Sequence, residues 1–159
     1  MWQWAMIAST SGLLAGCGSS APLSIQITLA HTDVVAGQSI HGLAVVKNGT
    51  QRTSTVKACP GQWLMVGLEN GRISYDSAVP TDACLPSIRL QPGMTSFPVT
   101  VITTYGGCAM TAPFTPTLPR CLTTGPPPLP PGRYQTTVIT SGLPVQVSTP
   151  APVDVTLKR

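Results

Sequence analysis

Leu23-Ser24-Ile25-Gln26-Ile27-Thr28-Leu29 alternates apolar and polar side chains without a fault. Successive side chains of a strand point to opposite faces, so this is the pattern of a strand with one face in a core and the other in water. Val153-Asp154-Val155-Thr156-Leu157-Lys158 repeats it near the other end. Between them, Ser39 to Lys47, Gln62 to Glu69, Arg72 to Tyr75, Ser96 to Thr103 and Tyr134 to Ser141 are rich in the Val, Ile, Thr and aromatic residues that fit a pleated surface. About seven strands are therefore expected. Asn70-Gly71 and Asn48-Gly49 are expected to form type I′ hairpin turns, whose two central residues need the positive φ that Asn and Gly tolerate. Beyond the N-terminal segment no stretch holds a 3.6-residue apolar period over about eleven residues, and the 17 prolines would interrupt one. The expected fold class is all-β, an antiparallel sandwich.

The 159 residues fit one core. Only 9% are charged, against about 25% in an average soluble protein, and Ser and Thr take their place. No apolar run reaches the roughly 20 residues of a membrane-spanning helix. The net charge is +4, yet the basic residues lie singly and only Lys158 and Arg159 are adjacent. No basic cluster exists to follow phosphates, so nucleic acid is not expected as a partner.

Residues 2 to 15, WQWAMIASTSGLLA, are mostly apolar but too short to span a bilayer, and they lead into Leu14-Ala15-Gly16-Cys17. This resembles a bacterial lipoprotein signal, in which a Leu and two small residues precede a Cys that receives diacylglycerol. The resemblance implies cleavage between Gly16 and Cys17 and lipidation of Cys17. The chain would then comprise a signal peptide at 1–16, a lipidated tether of small residues at 17–22 and a sandwich domain at 23–159. No Lys or Arg precedes the apolar run, where signal peptides carry positive charge. The other reading of Cys17 is an ordinary buried or disulfide-bonded cysteine. On the lipoprotein reading the protein is held by its lipid at the cell membrane or envelope and works outside the cytoplasm.

Cys59, Cys84, Cys108 and Cys121 remain, an even number that implies two disulfides in an oxidising compartment. Three pairings are open. Sequence-adjacent pairing, Cys59 with Cys84 and Cys108 with Cys121, is preferred because each bridge then staples one irregular excursion, at about 3 kcal/mol each. Zinc wants closely spaced cysteine pairs, which are absent. Copper wants two His with a Cys and a Met, and no His follows Cys108-Ala109-Met110. No metal and no cofactor is expected.

Short strands separated by turn signals, with clean alternation at both ends, point to a sandwich of immunoglobulin type. Trp63 falls on the third expected strand, where such folds bury a large aromatic, and Leu129-Pro130-Pro131-Gly132-Arg133-Tyr134 offers Tyr134 as a tyrosine corner. Val35-Ala36-Gly37-Gln38 before the second strand and Leu90-Gln91-Pro92-Gly93 before Phe97 complete the set. Over residues 23 to 157 these features resemble the small immunoglobulin-like lipoproteins and secreted proteins of mycobacteria and related actinobacteria. They resemble more loosely an immunoglobulin-like intracellular proteinase inhibitor domain. Neither resemblance carries a catalytic motif, so it implies a fold rather than an activity.

From Pro113 to Pro131 eight of nineteen residues are proline, a composition that excludes helix and central strand and makes residues 113–131 an exposed loop. A Cys108–Cys121 bridge would pin its front half, leaving Thr123 to Pro131 as a stiff lead-in to Tyr134. The loop reads either as a connector between sheets or as a rigid binding surface carried by Phe114, Leu118 and Arg120. Catalytic chemistry has little to draw on. Asp33, Glu69, Asp76, Asp82 and Asp154 are the only acids, two His accompany them, and no G-x-S-x-G, phosphate-loop or dinucleotide motif occurs. Asp33 in His31-Thr32-Asp33 is expected to bond the local backbone in a turn. Asn48-Gly49-Thr50 matches a glycosylation sequon, which the expected hairpin turn also explains. The expected function is non-catalytic: a lipid-anchored binding or scaffold module contacting another envelope protein or a small ligand. The rival is a proteinase inhibitor presenting a disulfide-held loop to an envelope protease.

Overall fold

The computed structural model describes residues 22–57, 63–71, 87–143 and 147–159. The signal at 1–16, Cys17, the strand expected at Arg72 to Tyr75 and the Cys59–Cys84 bridge lie outside these residues. Among them ten strands form: β1 (Leu23–Leu29), β2 (Asp33–Val35), β3 (Ile40–Asn48), β4 (Ser54–Lys57), β5 (Leu64–Glu69), β6 (Ser87–Leu90), β7 (Gly93–Val101), β8 (Gly132–Thr140), β9 (Val147–Ser148) and β10 (Asp154–Lys158). No helix occurs among the described residues. One sheet has the order β7-β3-β1-β9, a second β2-β10-β8-β5, and β4 pairs with β6 alone.

The alternation read in β1 sets the packing. Leu23, Ile25 and Ile27 are buried while Gln26 and Thr28 are exposed. From the same sheet Ile40, Ala44, Val46, Val99 and Val101 join them, and from the other sheet Leu64, Val66, Leu68, Tyr134, Val155 and Leu157. The two inner faces thus form one core, a sandwich-like arrangement in which each buried Leu, Ile or Val contributes about 1.5–3 kcal/mol relative to exposure. Trp63, just ahead of β5, meets Phe97 of β7 edge-on with ring centroids 4.9 Å apart, tying the sheets across their open side.

Six of the seven expected strands are present, as β1, β3, β5, β7, β8 and β10. The additional four are short, two to four residues each; of them β6, Ser87-Ile88-Arg89-Leu90, alternates but over four residues only. Two of them make the sheets mixed rather than purely antiparallel: β9 runs parallel to β1, and β2 runs parallel to β10. Asp33 accordingly opens a strand instead of closing a turn, and its carboxylate lies 3.5 Å from Lys158 Nζ. Both groups are well exposed, so the pair adds little stability.

Neither Asn-Gly site adopts the expected turn. No non-glycine residue among those described has positive φ, so Asn70 does not form the first half of a type I′ turn, although Gly71 sits at +72°. Asn48 ends β3, whose partners are β1 and β7 rather than the following strand. Its side chain is 3% exposed and fully engaged, which also removes the amide from reach of a glycan. A second close approach lies at the other end of β3. A Cβ on Gly42 would collide with the Thr28 carbonyl oxygen and come within 3.2 Å of Leu29 Cα, so only glycine lets β1 and β3 pair there.

Tyr134 closes the core at the start of β8. It is 2% exposed, and its hydroxyl donates to the Pro130 carbonyl at 2.8 Å, four residues upstream. Burial, with the Tyr105 phenol nearby, raises its pKa above the ordinary 10.0. A phenol that ionises less readily folded than unfolded contributes stability that is complete below about pH 10 and is lost as pH rises through the folded value. Tyr134→Phe is expected to cost about 1 kcal/mol at neutral pH. Denaturant midpoints followed above pH 10 should fall more steeply for the wild type than for the variant, and parallel curves would refute the assignment.

Candidate functional site

After Val101 the chain leaves the sandwich and returns only at Gly132, so residues 102–131 form one excursion. Its base is a short ladder: the Leu129 N–H donates to the Thr103 carbonyl at 2.8 Å and the Tyr105 N–H to the Pro127 carbonyl at 3.0 Å. Pro127 and Pro128 can line this edge because neither is asked for an N–H: Pro127 supplies only its carbonyl, and Pro128, opposite Thr104, sits between the two bonds. Thr103 is completely buried and clasps the base to the sandwich. Its hydroxyl donates to the Gln38 carbonyl and accepts the Gly37 N–H, both at 2.7 Å. Gly37 makes this possible at φ +97°, which brings its N–H to the hydroxyl beside Pro128.

Further out, the bond expected between Cys108 and Cys121 is present, with the two Cα atoms 4.9 Å apart. Beside it the Ala109 N–H donates to the Pro119 carbonyl at 2.8 Å and the Cys121 N–H to the Ala109 carbonyl at 3.0 Å. The tip then folds on itself. Thr115 and Leu118 exchange backbone hydrogen bonds of 3.1 Å each way, and the Leu118 N–H also reaches Thr115 Oγ1 at 2.9 Å. Pro116 sits at the first corner position, where its fixed φ suits a turn. A second tight turn joins Leu122 and Gly125 by reciprocal bonds, where Thr123 to Pro131 reads from sequence as a plain stiff lead-in. The result is a finger, clamped at its base, its middle and its tip.

The finger carries the expected binding residues together. Phe114 is 45% exposed and Leu118 42%, with Arg120 exposed between them and the disulfide. Met110, weighed from sequence only as a copper ligand, is 79% exposed, and Leu122 is 50% exposed. Neither is named as a binding residue by the sequence, although Leu122 follows Cys121 directly and Met110 lies two residues after Cys108.

The remaining concavities are less specific. A shallow polar groove of about 550 Å³ is lined by Glu69, Asn70, Gly71, Arg133, Gln135 and Asp154, with Gln135 Nε2 donating to Asp154 Oδ1 at 3.1 Å. An apolar cleft of about 340 Å³ lies between β5 and β7, lined by Leu64, Val66, Pro98, Val99 and Ile102. Among the described residues no three His, Cys, Asp or Glu side chains come together as a metal site.

No protein-family model matches the chain, and none of the curated proteins matches it. Among solved structures it is similar to the beta-glucosidase from Listeria innocua in complex with glucose, at 14% identity and a TM-score of 0.43, over 87% of this chain and 16% of that one. The complex of the Listeria innocua beta-glucosidase with gluconolactone gives 13% identity and a TM-score of 0.44 over the same shares. The chain therefore spans 16% of the length of those enzymes, and a likeness this distant carries no argument about activity.

Proposed function

We propose that the protein is a lipid-anchored, extracytoplasmic module of a bacterial cell envelope, immunoglobulin-like in type, that binds through its finger and catalyses nothing. The observation that carries this reading is the finger itself. Met110, Phe114, Leu118 and Leu122 stand exposed on a loop held by a disulfide and by hydrogen bonds at base and tip. Exposed apolar groups on an already ordered loop cost stability unless they meet something, and they meet it with little ordering entropy.

The immunoglobulin type is supported by the strand order β7-β3-β1 against β2-β10-β8-β5, by the parallel β2–β10 edge and by the Tyr134 hydroxyl bonded to the Pro130 carbonyl. The anchor is supported by Leu14-Ala15-Gly16-Cys17 and the small residues that follow. Against the inhibitor alternative stands the tip geometry. A loop that enters a protease cleft as a strand needs free backbone groups, and Thr115 and Leu118 spend theirs on each other.

The test is the mass of the N-terminal peptide of protein purified from its native membrane. A peptide beginning at Cys17 and carrying diacylglycerol is the expected result. One beginning at Met1, or at an unmodified Cys17, overturns the anchored reading.

A further inference from the structure

We propose that the Cys108–Cys121 bond is a redox switch built into the finger: a dithiol reductant opens it and a disulfide oxidant recloses it in the folded protein, and the sandwich stays intact throughout. The switch goes beyond the binding function proposed above. Opening would release Phe114 and Leu118 from their fixed arrangement, and only that consequence for binding rests on the earlier reading.

Access is the first ground. Thiol–disulfide exchange needs a thiolate to reach one of the two sulfurs, so a bridge enclosed in a core opens only when the core does. Both cysteines are half-buried here, and Gly106, Gly107 and Ala109 flank Cys108 with no side chain larger than a methyl group. Arg120 is the only charged side chain between Gly106 and Gly125, so no carboxylate of the finger repels the attacking thiolate or the one released.

Independence is the second ground. Among the described residues every backbone hydrogen bond from Gly106 to Gly125 stays within the finger, joining Ala109 to Pro119 and Cys121, Thr115 to Leu118, and Leu122 to Gly125, and none reaches the sandwich. The N–H groups of Met110, Thr111, Ala112, Phe114, Thr117 and Arg120 have no partner among those residues, so little besides the bridge fixes the segment it encloses. The base is fastened separately, by the Thr103 hydroxyl on the Gln38 carbonyl and by the Leu129 N–H on the Thr103 carbonyl. Gly106-Gly107 on one arm and Gly125, at φ +117°, on the other bound the segment, and residues without a Cβ absorb a backbone rearrangement most readily.

Reversibility is the third ground. The bonds from the Ala109 N–H to the Pro119 carbonyl and from the Cys121 N–H to the Ala109 carbonyl set the two arms side by side next to the sulfurs. Neither bond involves sulfur, so both can re-form transiently after opening and return the two thiols to each other, which makes closure an intramolecular step. In the opening reaction one thiolate of the dithiol attacks one Sγ, the bond between Cys108 and Cys121 breaks, and the other Sγ leaves as a thiolate that takes up a proton. The second thiolate of the dithiol then attacks the dithiol's own sulfur in the mixed disulfide and releases the remaining cysteine. Two electrons pass from the dithiol, which ends as a disulfide, to Cys108 and Cys121, which end as thiols.

The test exposes the full chain to dithiothreitol without denaturant, traps free thiols with iodoacetamide and digests with trypsin, which cuts after Arg120 and so places Cys108 and Cys121 on separate peptides. Both cysteines are expected to become alkylated while the amides of β1, β3 and β8 keep their protection in hydrogen exchange. The rate of opening should stay within about twofold in urea too dilute to unfold the sandwich, since an opening confined to the finger exposes little new surface. Excess oxidised dithiothreitol should then restore the linked pair of peptides. Three results overturn the inference: a bond that stays closed under native conditions, a bond that opens only as the core amides lose protection and at a rate that climbs with urea, or reoxidation that joins Cys108 or Cys121 to another cysteine.

Discussion

Asn48→Leu is expected to cost about 3 kcal/mol of stability, more than most substitutions that leave a core's volume intact. Asn48 Nδ2 donates to the Leu90 carbonyl at 2.9 Å and to the Arg52 carbonyl at 2.8 Å. Its Oδ1 accepts the Thr50 N–H at 3.0 Å and the Thr50 hydroxyl at 2.8 Å. One buried amide thus shapes the loop from β3 to β4 and fastens it to the end of β6. Arg52 and Thr50 keep each other, since the one Thr50 hydroxyl proton, which lies within reach of both Asn48 Oδ1 and the Arg52 carbonyl, can turn wholly to the carbonyl at 2.9 Å, but the Leu90 carbonyl is left buried without this donor. Asn48→Asp tests the direction of the bonds at constant size. A carboxylate keeps both acceptor contacts and turns two donor contacts into repulsion, and it resists ionisation in the fold. Its pKa is therefore raised on folding, so the loss is largest at neutral pH and shrinks as pH falls and the unfolded chain takes up the proton too. Denaturant unfolding at pH 7 and pH 4 checks this. A cost that is small, or equal at both values, would show that the site reads volume rather than hydrogen-bond polarity.

That site also marks the limit of what the sequence discloses. Alternation and β-branched content are local properties: alternation locates strands such as β1 and β10, which have a buried and a wet face along their own length, and apolar content locates β5, which is buried or half-buried up to Glu69. The turn at Asn48-Gly49 cannot be read this way, since an Asn-Gly pair signals a hairpin only if the next strand is also the partner. Here β1 and β7 occupy both edges of β3, and the dipeptide serves a side-chain network instead. Ser54–Lys57, Asp33–Val35 and Val147–Ser148 escape notice for a related reason: two to four residues hold too little pattern, and their pairing is chosen by whichever edge the tertiary fold leaves open. Tyr134 is legible because its corner is local, four residues from its acceptor. In the finger, Cys108, Phe114, Leu118, Arg120 and Cys121 are visible as a clamped loop, but its ladder is not. Prolines conceal it, because they fall at positions where the ladder asks for no N–H, the one donor on that edge being Leu129, and sequence rules count them against strand.

Opening the Cys108–Cys121 bridge should have the second largest effect, and a local one. In the chain-entropy model a loop of this size, with the cysteines 13 residues apart, is worth about 3 kcal/mol. Where that energy falls depends on what else holds the segment. The base of the finger has its own attachments in Thr103, fully buried between Gly37 and Gln38, and in Leu129, 1% exposed in the core. Beyond Tyr105 the outer finger contributes no residue to the buried cluster of described residues until Leu129, so among those residues the disulfide and a few hydrogen bonds are its main constraints. Cys108→Ser with Cys121→Ser is therefore expected to lower protection of the Ala109 and Cys121 amides by up to about a hundredfold in hydrogen exchange, while amides of β1, β3 and β8 keep theirs. Proteolysis should move to the segment between Met110 and Arg120, and the thermal midpoint of the sandwich should shift by only a few degrees. Global unfolding of the double variant would mean that the finger is part of the core's cooperative unit.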